Sequence, residues 1–256
     1  MIKKIVAICL MSVCLSTPCF LYAHTEEKTK ETPGAAIFVM AIPNEVRIQD
    51  QQSIYTNDYL RINVHYPKLE RISDKKFQKN VNKNFELHAL QLQKKIKKEA
   101  QSQYKEQASD YPLYQYELIS NYTVKESLKD YLVFQFVDYW YTGGAHGLSQ
   151  QHYITLDLQN NKIVMLEDLF TDKENYADQL KKLIIQQIKD RLHQDKVFFD
   201  DFYDRIQIKE NQNFYVTNNG DLVLVFNVYE IAPYSTGVVE FRLKKEVLKG
   251  YQFNEK

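Results

Sequence analysis

Apolar positions along this chain recur with a period that switches between two and three-to-four, and the switches mark out the elements. Tyr59-Leu-Arg-Ile-Asn-Val-His-Tyr66 alternates, with Leu60, Ile62, Val64 and Tyr66 on one side. It predicts a strand that stops at Pro67. A first strand is expected before it, within Ala35 to Ile48. From about Asp74 the spacing changes, and Phe77, Val81, Phe85, Ala89, Leu92, Ile96 and Ala100 share one face while lysine and glutamine fill the others. That pattern predicts a helix to roughly residue 105, on the order of 45 Å long. A single apolar face suits a helix packed on its own sheet better than a coiled coil or a calmodulin-type target. Leu113 to Lys125 and Tyr131 to Tyr141 read as adjacent strands, and Gln151 to Leu158 with Lys162 to Met165 as a further pair around Asn160-Asn161. Thr171-Asp-Lys-Glu174 has the capping-box pattern, and Tyr176, Leu180, Leu183, Ile184, Ile188 and Leu192 form the stripe of a second helix. Asn213 to Thr217 and Leu222 to Ile231 flank Asn219-Gly220, a strong hairpin signal, and Gly237 to Leu243 supplies a closing strand.

The order is strand, long helix, strands, helix, strands. It predicts an α+β fold with antiparallel sheets, one long and one shorter amphipathic helix, and two intimately packed subdomains. The subdomains are expected to span residues 35–111 and 112–256, with the boundary inside 106 to 112.

The N-terminus predicts an address. A basic start at Lys3 and Lys4, an apolar run from Ile5 to Tyr22 and a small residue at Ala23 have the anatomy of a secretory signal peptide over residues 1–23. An uncleaved anchor is the alternative, since the run approaches the ~18 residues of a spanning helix. Residues 24–34 are polar and contain Pro33, as in a flexible leader. Cys9, Cys14 and Cys19 all lie inside the signal segment, so the mature chain is expected to lack disulfides, thiolate-bound zinc and a thiol nucleophile. Removing Lys3 and Lys4 from 33 basic residues leaves 31 against 33 acidic ones. That balance argues against nucleic acid as a partner, because phosphate binding needs a clustered basic face. After cleavage no membrane association is expected either, and the protein should be secreted, periplasmic or attached to the cell envelope.

Glycine is scarce, at 7 in 256 residues, yet three glycines fall within Tyr141-Thr-Gly-Gly-Ala-His-Gly147. A β-branched and aromatic run ending in such a segment reads as a strand forced into a tight, partly left-handed turn. Asn227-Val-Tyr-Glu-Ile-Ala-Pro-Tyr-Ser-Thr-Gly237 has the same texture. Tyr139, Trp140, Tyr141, Tyr229 and Tyr234 flank the two loops, and strand alternation puts Tyr139 and Tyr141 on one face with Trp140 on the other. Such side chains offer rigid area with a polar tip for gripping a protein or stacking on sugar. Together with Gly143, Gly144, His146 and Glu230 they form the candidate ligand-binding set.

Tyr141 to Gly147, Tyr153-Ile-Thr-Leu-Asp-Leu158, Leu166-Glu-Asp-Leu-Phe170, Tyr229 to Tyr234 with Gly237, and the opening Ile62-Asn-Val-His-Tyr-Pro67 carry a resemblance. Over roughly residues 50 to 250 the chain is similar to the extracellular domain of RsiV-type anti-sigma factors. It also resembles the domain pair preceding the catalytic domain of PdaC-type peptidoglycan deacetylases. The resemblance implies a recognition module, with lysozyme as the family's protein ligand. The sigma-binding half and internal transmembrane helix of those factors are not recognisable here, nor is the deacetylase metal motif. Asp200-Asp201 has only His193 nearby and no His-x-x-x-His pair.

No catalytic residue, metal or cofactor is assigned from the sequence. His146 and His152 are the best metal candidates, but six residues apart across a turn they converge only if the loop doubles back. A hydrogen bond from His146 to the turn backbone is the simpler expectation. Glu230 reads as a structural carboxylate or, without a nameable partner, a general acid. Three functions stay open: a non-enzymatic recognition protein for a lysozyme-like ligand, a peptidoglycan- or glycan-binding module, and an envelope hydrolase using Glu230 and His146. Lack of a recognisable catalytic constellation ranks the enzyme last.

Overall fold

A computed structural model describes residues 46–106, 114–128, 130–192 and 197–253. The expected signal peptide at 1–23, the leader at 24–34, most of the first expected strand, His193 and nearly all of the 106 to 112 boundary lie outside the described residues. Among the described residues, strands form two sheets. In one, β1 (Arg47–Asn57), β2 (Leu60–Glu70), β3 (Tyr116–Leu128), β4 (Tyr131–Tyr141), β5 (Leu148–Asp157) and β6 (Lys162–Ile163) lie side by side in that order. The other orders β7 (Phe214–Val216), β8 (Leu222–Phe226) and β9 (Val239–Leu243). With two main helices, α1 (Lys75–Glu106) and α2 (Tyr176–Leu192), and a short turn of helix, α3 (Phe202–Arg205), the fold is α+β.

One pairing departs from the antiparallel expectation: β2 and β3 run parallel, residues 60–64 against 116–120. A parallel neighbour requires a crossover, and α1 supplies it. The six-stranded sheet therefore takes strands from both sides of the 106 to 112 segment.

The helix owes its start to Asp74, whose Oδ1 accepts the N–H groups of Lys76 and Phe77 at 2.8 and 2.9 Å. Its buried stripe is Phe77, Val81, Phe85, Ala89, Gln93, Ile96 and Ala100, with Gln93 in the place expected of Leu92. Gln93 is satisfied there, accepting from Ser53 Oγ at 2.9 Å and donating to the Ala89 carbonyl at 3.2 Å. The strand β2 runs through Pro67 to Glu70 instead of stopping. Beyond Val64 it pairs with β1 alone, and a strand with one open edge tolerates a missing N–H. On that stretch Asn82 of α1 brackets the Leu69 backbone, accepting its N–H at 2.7 Å and donating to its carbonyl at 2.9 Å.

Alternation along β4 sets the layers. Leu132, Phe134 and Phe136 pack with Phe77, Val81 and Phe85 beneath α1, while Val133 packs on the opposite side with Tyr215, Val223 and Val225 of the small sheet. Leu222, Leu224 and Phe226 of β8 then meet Leu180, Ile184 and Ile188 of α2. The order through the molecule is α1, large sheet, small sheet, α2. Each fully buried aromatic or aliphatic side chain in this stack contributes about 1.5–3 kcal/mol.

Two boundaries shift. Asp172, not Thr171, receives the N–H groups of Glu174 and Asn175, both at 3.1 Å, and α2 begins at Tyr176. The strand expected to reach Ile231 ends at Phe226 as β8, because the chain turns at Tyr229, a non-glycine residue with φ of 68°. The hairpin turn before it is as expected, with Gly220 at φ 79° and its N–H bonded to the Thr217 carbonyl at 2.8 Å.

Candidate functional site

The glycine segment leaves β4 as a left-handed turn, with Gly143 and Gly144 at φ 94° and 92°. Tyr141 Oη donates to the Gly144 carbonyl at 2.9 Å and holds the turn against its strand. Gly147 is buried, and a Cβ there would run into the ring of Tyr139. Tyr139 and Tyr141 therefore both serve the loop. Trp140 points the other way, half-buried against the α1 cluster with Lys95 Nζ 5.9 Å from its ring centre.

The second segment folds back on the first. After Pro233 a single 3-10 turn, Tyr234–Thr236, ends at Gly237 with φ 75°. The His146 ring stacks on Tyr234 with centroids 4.3 Å apart at 18°, and Tyr229 lies 5.8 Å from Tyr234. Two segments almost ninety residues apart thus share one aromatic ledge, on which Tyr229 and Tyr234 stay 48% and 39% exposed. His146 Nδ1 also donates to the Gly147 carbonyl at 3.0 Å, the backbone bond expected of it.

Beside the ledge, a cavity of about 710 Å³ opens along the outer edge of β5. Its wall includes His88, Asp138, His152, Asn213, Asn227 and Glu230, but not His146. The edge exists because β6 pairs only with residues 156–157 of β5. Asparagine side chains take the absent strand's place. Asn227 Oδ1 accepts the Gln151 N–H at 2.7 Å, Asn213 Oδ1 accepts the Tyr153 N–H at 3.0 Å, and both Nδ2 groups donate to the Gln151 carbonyl, at 2.9 and 2.7 Å. Buried backbone polar groups must be paired, and here side-chain amides do it.

Of the cluster of His88, Asp138 and His152, only His152 stands among the metal candidates of the sequence, and the partner expected for it there, His146, is the wrong one. Asp138 occupies the fourth place in the inward series Leu132, Phe134, Phe136, and only 6% of its side chain is exposed. A carboxylate on the apolar face of a strand is the one sequence clue that could have marked it. Its cross-strand partner Ser120 donates to Oδ1 at 2.6 Å, and His88 Nε2 of α1 donates to Oδ2 at 2.9 Å. His152, opposite Phe136 in the register, lies flat on that ring with centroids 4.6 Å apart. Its Nδ1 is 3.6 Å from Oδ2.

Electrostatics follow from burial and these contacts. Burial alone would raise the Asp138 pKa, but the hydrogen bonds from His88 and Ser120 and the charge of the two imidazoles outweigh it, and the net shift is downward. Burial, with the neighbouring His88, holds His152 down to about 4 against a smaller opposing pull from Asp138. At neutral pH the site pairs a carboxylate with a neutral His152. Glu230 is pushed upward by the protein packed around its carboxyl, partly offset by Asn227 and Lys209. Glu230 itself stays exposed to solvent at the cavity rim.

The expected site residues thus divide into two places. His146, Tyr229 and Tyr234 meet at the ledge, Tyr139, Tyr141, Gly143 and Gly144 shape the turn that carries His146, and Trp140 and Glu230 line the cavity. His146 and His152 part company, one on the ledge and one under α1.

Residues 54–149 match the family described as Deacetylase PdaC, and residues 167–246 match a Protein of unknown function family, DUF3298. The chain is thus similar to RsiV-like, PdaC-associated proteins. Anti-sigma-V factor RsiV of Bacillus subtilis (strain 168) is 27% identical over 205 residues, covering 78% of this chain and 68% of that one. Crystal structures of two DUF3298 family members show the same fold. One, from Bacteroides fragilis, has a TM-score of 0.61 at 22% identity over 84% of this chain and 96% of its own. The other, from Pseudomonas aeruginosa PAO1, has a TM-score of 0.57 at 18% identity over 82% and 94%. In this RsiV-like chain the cavity joins the two matched regions: His88 and Asp138 come from the PdaC segment, Asn213, Asn227 and Glu230 from the DUF3298 segment.

Proposed function

We propose that this chain is an exported, non-enzymatic recognition protein of the cell envelope that binds a lysozyme-like protein through the ledge of His146, Tyr229 and Tyr234. The observation that carries the reading is the stack of His146 on Tyr234, which fuses two loops into one exposed aromatic surface. Loops at strand ends are where recognition concentrates, and aromatic rings give large contact area at low entropic cost. Tyr229 adds a second sign, since a bulky residue held at φ 68° is strained, and strain of that kind gathers at functional sites. Export rests on the basic and apolar N-terminus and on kinship with an anti-sigma factor. Among the described residues no helix is long and apolar enough to cross a membrane.

The cavity favours a second reading, a peptidoglycan or glycan ligand, because about 710 Å³ lined by Trp140 and side-chain amides suits a sugar or short peptide. Calorimetric titration with lysozyme in one arm and soluble peptidoglycan fragments in the other separates the two. Lysozyme binding is expected to weaken by about tenfold or more in Tyr229→Ala and Tyr234→Ala. Binding to neither ligand, or binding that both folded variants retain in full, would refute the ledge as the recognition surface. Turnover of peptidoglycan abolished by Glu230→Gln would establish a hydrolase in its place.

A further inference from the structure

We infer that His88, Asp138 and His152 form a binding site for a divalent first-row metal ion, with zinc the preferred occupant. The nitrogen and oxygen atoms they offer all lie within 4.8 Å of one another. A tetrahedral zinc site with bonds of about 2.0–2.1 Å places its ligand atoms about 3.3 Å apart. Two edges of the cluster, 2.9 Å from His88 Nε2 to Asp138 Oδ2 and 3.6 Å from His152 Nδ1 to the same oxygen, straddle that value. Two imidazoles and a carboxylate are a zinc donor set, and three protein ligands with an open fourth position are the pattern of an accessible site.

Hydrogen bonding alone explains only part of the cluster. It accounts for His88, whose bond to Asp138 is well formed. It does not account for His152, whose Nδ1 stands beyond hydrogen-bond reach of the carboxylate while its ring is pressed between Phe136 and His88. A ligand ion between the three groups gives that nitrogen a partner. Ser120 supplies the outer support that metal carboxylates need, since its hydroxyl fixes the oxygen that the ion leaves free. On binding, the proton now between His88 and Asp138 moves to His88 Nδ1 or to solvent, and the metal takes its place. All three residues line the cavity, so the fourth position faces it and can accept water or a ligand oxygen.

The site is separate from the ledge, and so is its test. Untagged full chain, stripped with a chelator, is titrated calorimetrically with zinc chloride, and the cobalt(II) form is examined by visible absorption. The expected result is one ion per chain and the intense cobalt bands of a tetrahedral nitrogen and oxygen site. His88→Gln, Asp138→Asn and His152→Gln should each weaken zinc binding by about tenfold or more. His146→Ala should leave it unchanged. His88 is the safest probe for folding, because a third of its side chain is exposed on the helix. No saturable zinc binding by the parent chain, or parental affinity in folded His88→Gln, would overturn the assignment.

Discussion

Gly147 tests whether the glycine loop is shaped by backbone freedom or by close approach. Its φ lies outside the left-handed range, so alanine there strains no dihedral. The difficulty is Tyr139, whose Cε2, Cζ and Oη occupy the space a Cβ would need. Tyr139 sits on β4 opposite Ser149 and is held at its own end by the sheet, so the ring must tilt away or the loop must lift. Forcing one methyl into an occupied site of this kind costs about 1–3 kcal/mol. For a chain of this size each kcal/mol moves the melting temperature by roughly 2–4 °C. Gly147→Ala should therefore melt roughly 2–12 °C below the parent. The decisive measurement is a double-mutant cycle with Tyr139→Ala, followed by chemical denaturation. Removing the ring removes the obstacle, so the glycine substitution should cost no more than about 0.5 kcal/mol in that background. An equal cost in both backgrounds would refute the steric account and place the need for glycine elsewhere in the loop.

Gly144 is the complementary case: a Cβ there meets nothing within 4 Å, and φ is 92°, so Gly144→Val should cost about 1–2 kcal/mol from the backbone alone. Gly143→Val should behave alike, because its nearest neighbour, Tyr114, is at an ordinary 3.7 Å; unfolding midpoints equal to the parent's would sink both. Asn227→Ala removes the acceptor of the Gln151 N–H and should destabilise by about 1–3 kcal/mol. Hydrogen exchange at the Gln151 amide should speed up in that variant, and unchanged protection would show that the side chain is not standing in for a strand.

How much of this could be read beforehand depended on distance along the chain. The α1 stripe, the alternation of β4 and the Asn219-Gly220 turn depend on residues at most a few places apart, and each appears where expected except that Gln93 replaces Leu92 in the stripe. The glycine loop was legible for the same reason, since Gly143 and Gly144 answer to their own backbone angles. Of the metal cluster only His152 was legible, as a metal candidate, and its partners were not. His88 is fifty residues from Asp138, and nothing near His88 distinguishes it from the other polar positions of a long helix. Asn227 looked like part of a strand because its apolar neighbours continue the pattern of β8, whereas its side chain is committed to Gln151, 76 residues away.

The sequence by itself determined the α+β class, the faces that each helix and strand would bury, and the two loops bearing aromatic residues. Periodicity reports which side of an element is apolar, and burial of that side is required whatever it packs against. Tertiary structure decided which faces meet. It set β3 parallel to β2, left β5 with an open edge closed by two asparagines, and laid His146 on Tyr234. It also brought His88 of a helix over Asp138 and His152 of two neighbouring strands. Those outcomes depend on strand register and on where the crossover helix lands, and a shift of one residue would turn Asp138 to the other face of the sheet.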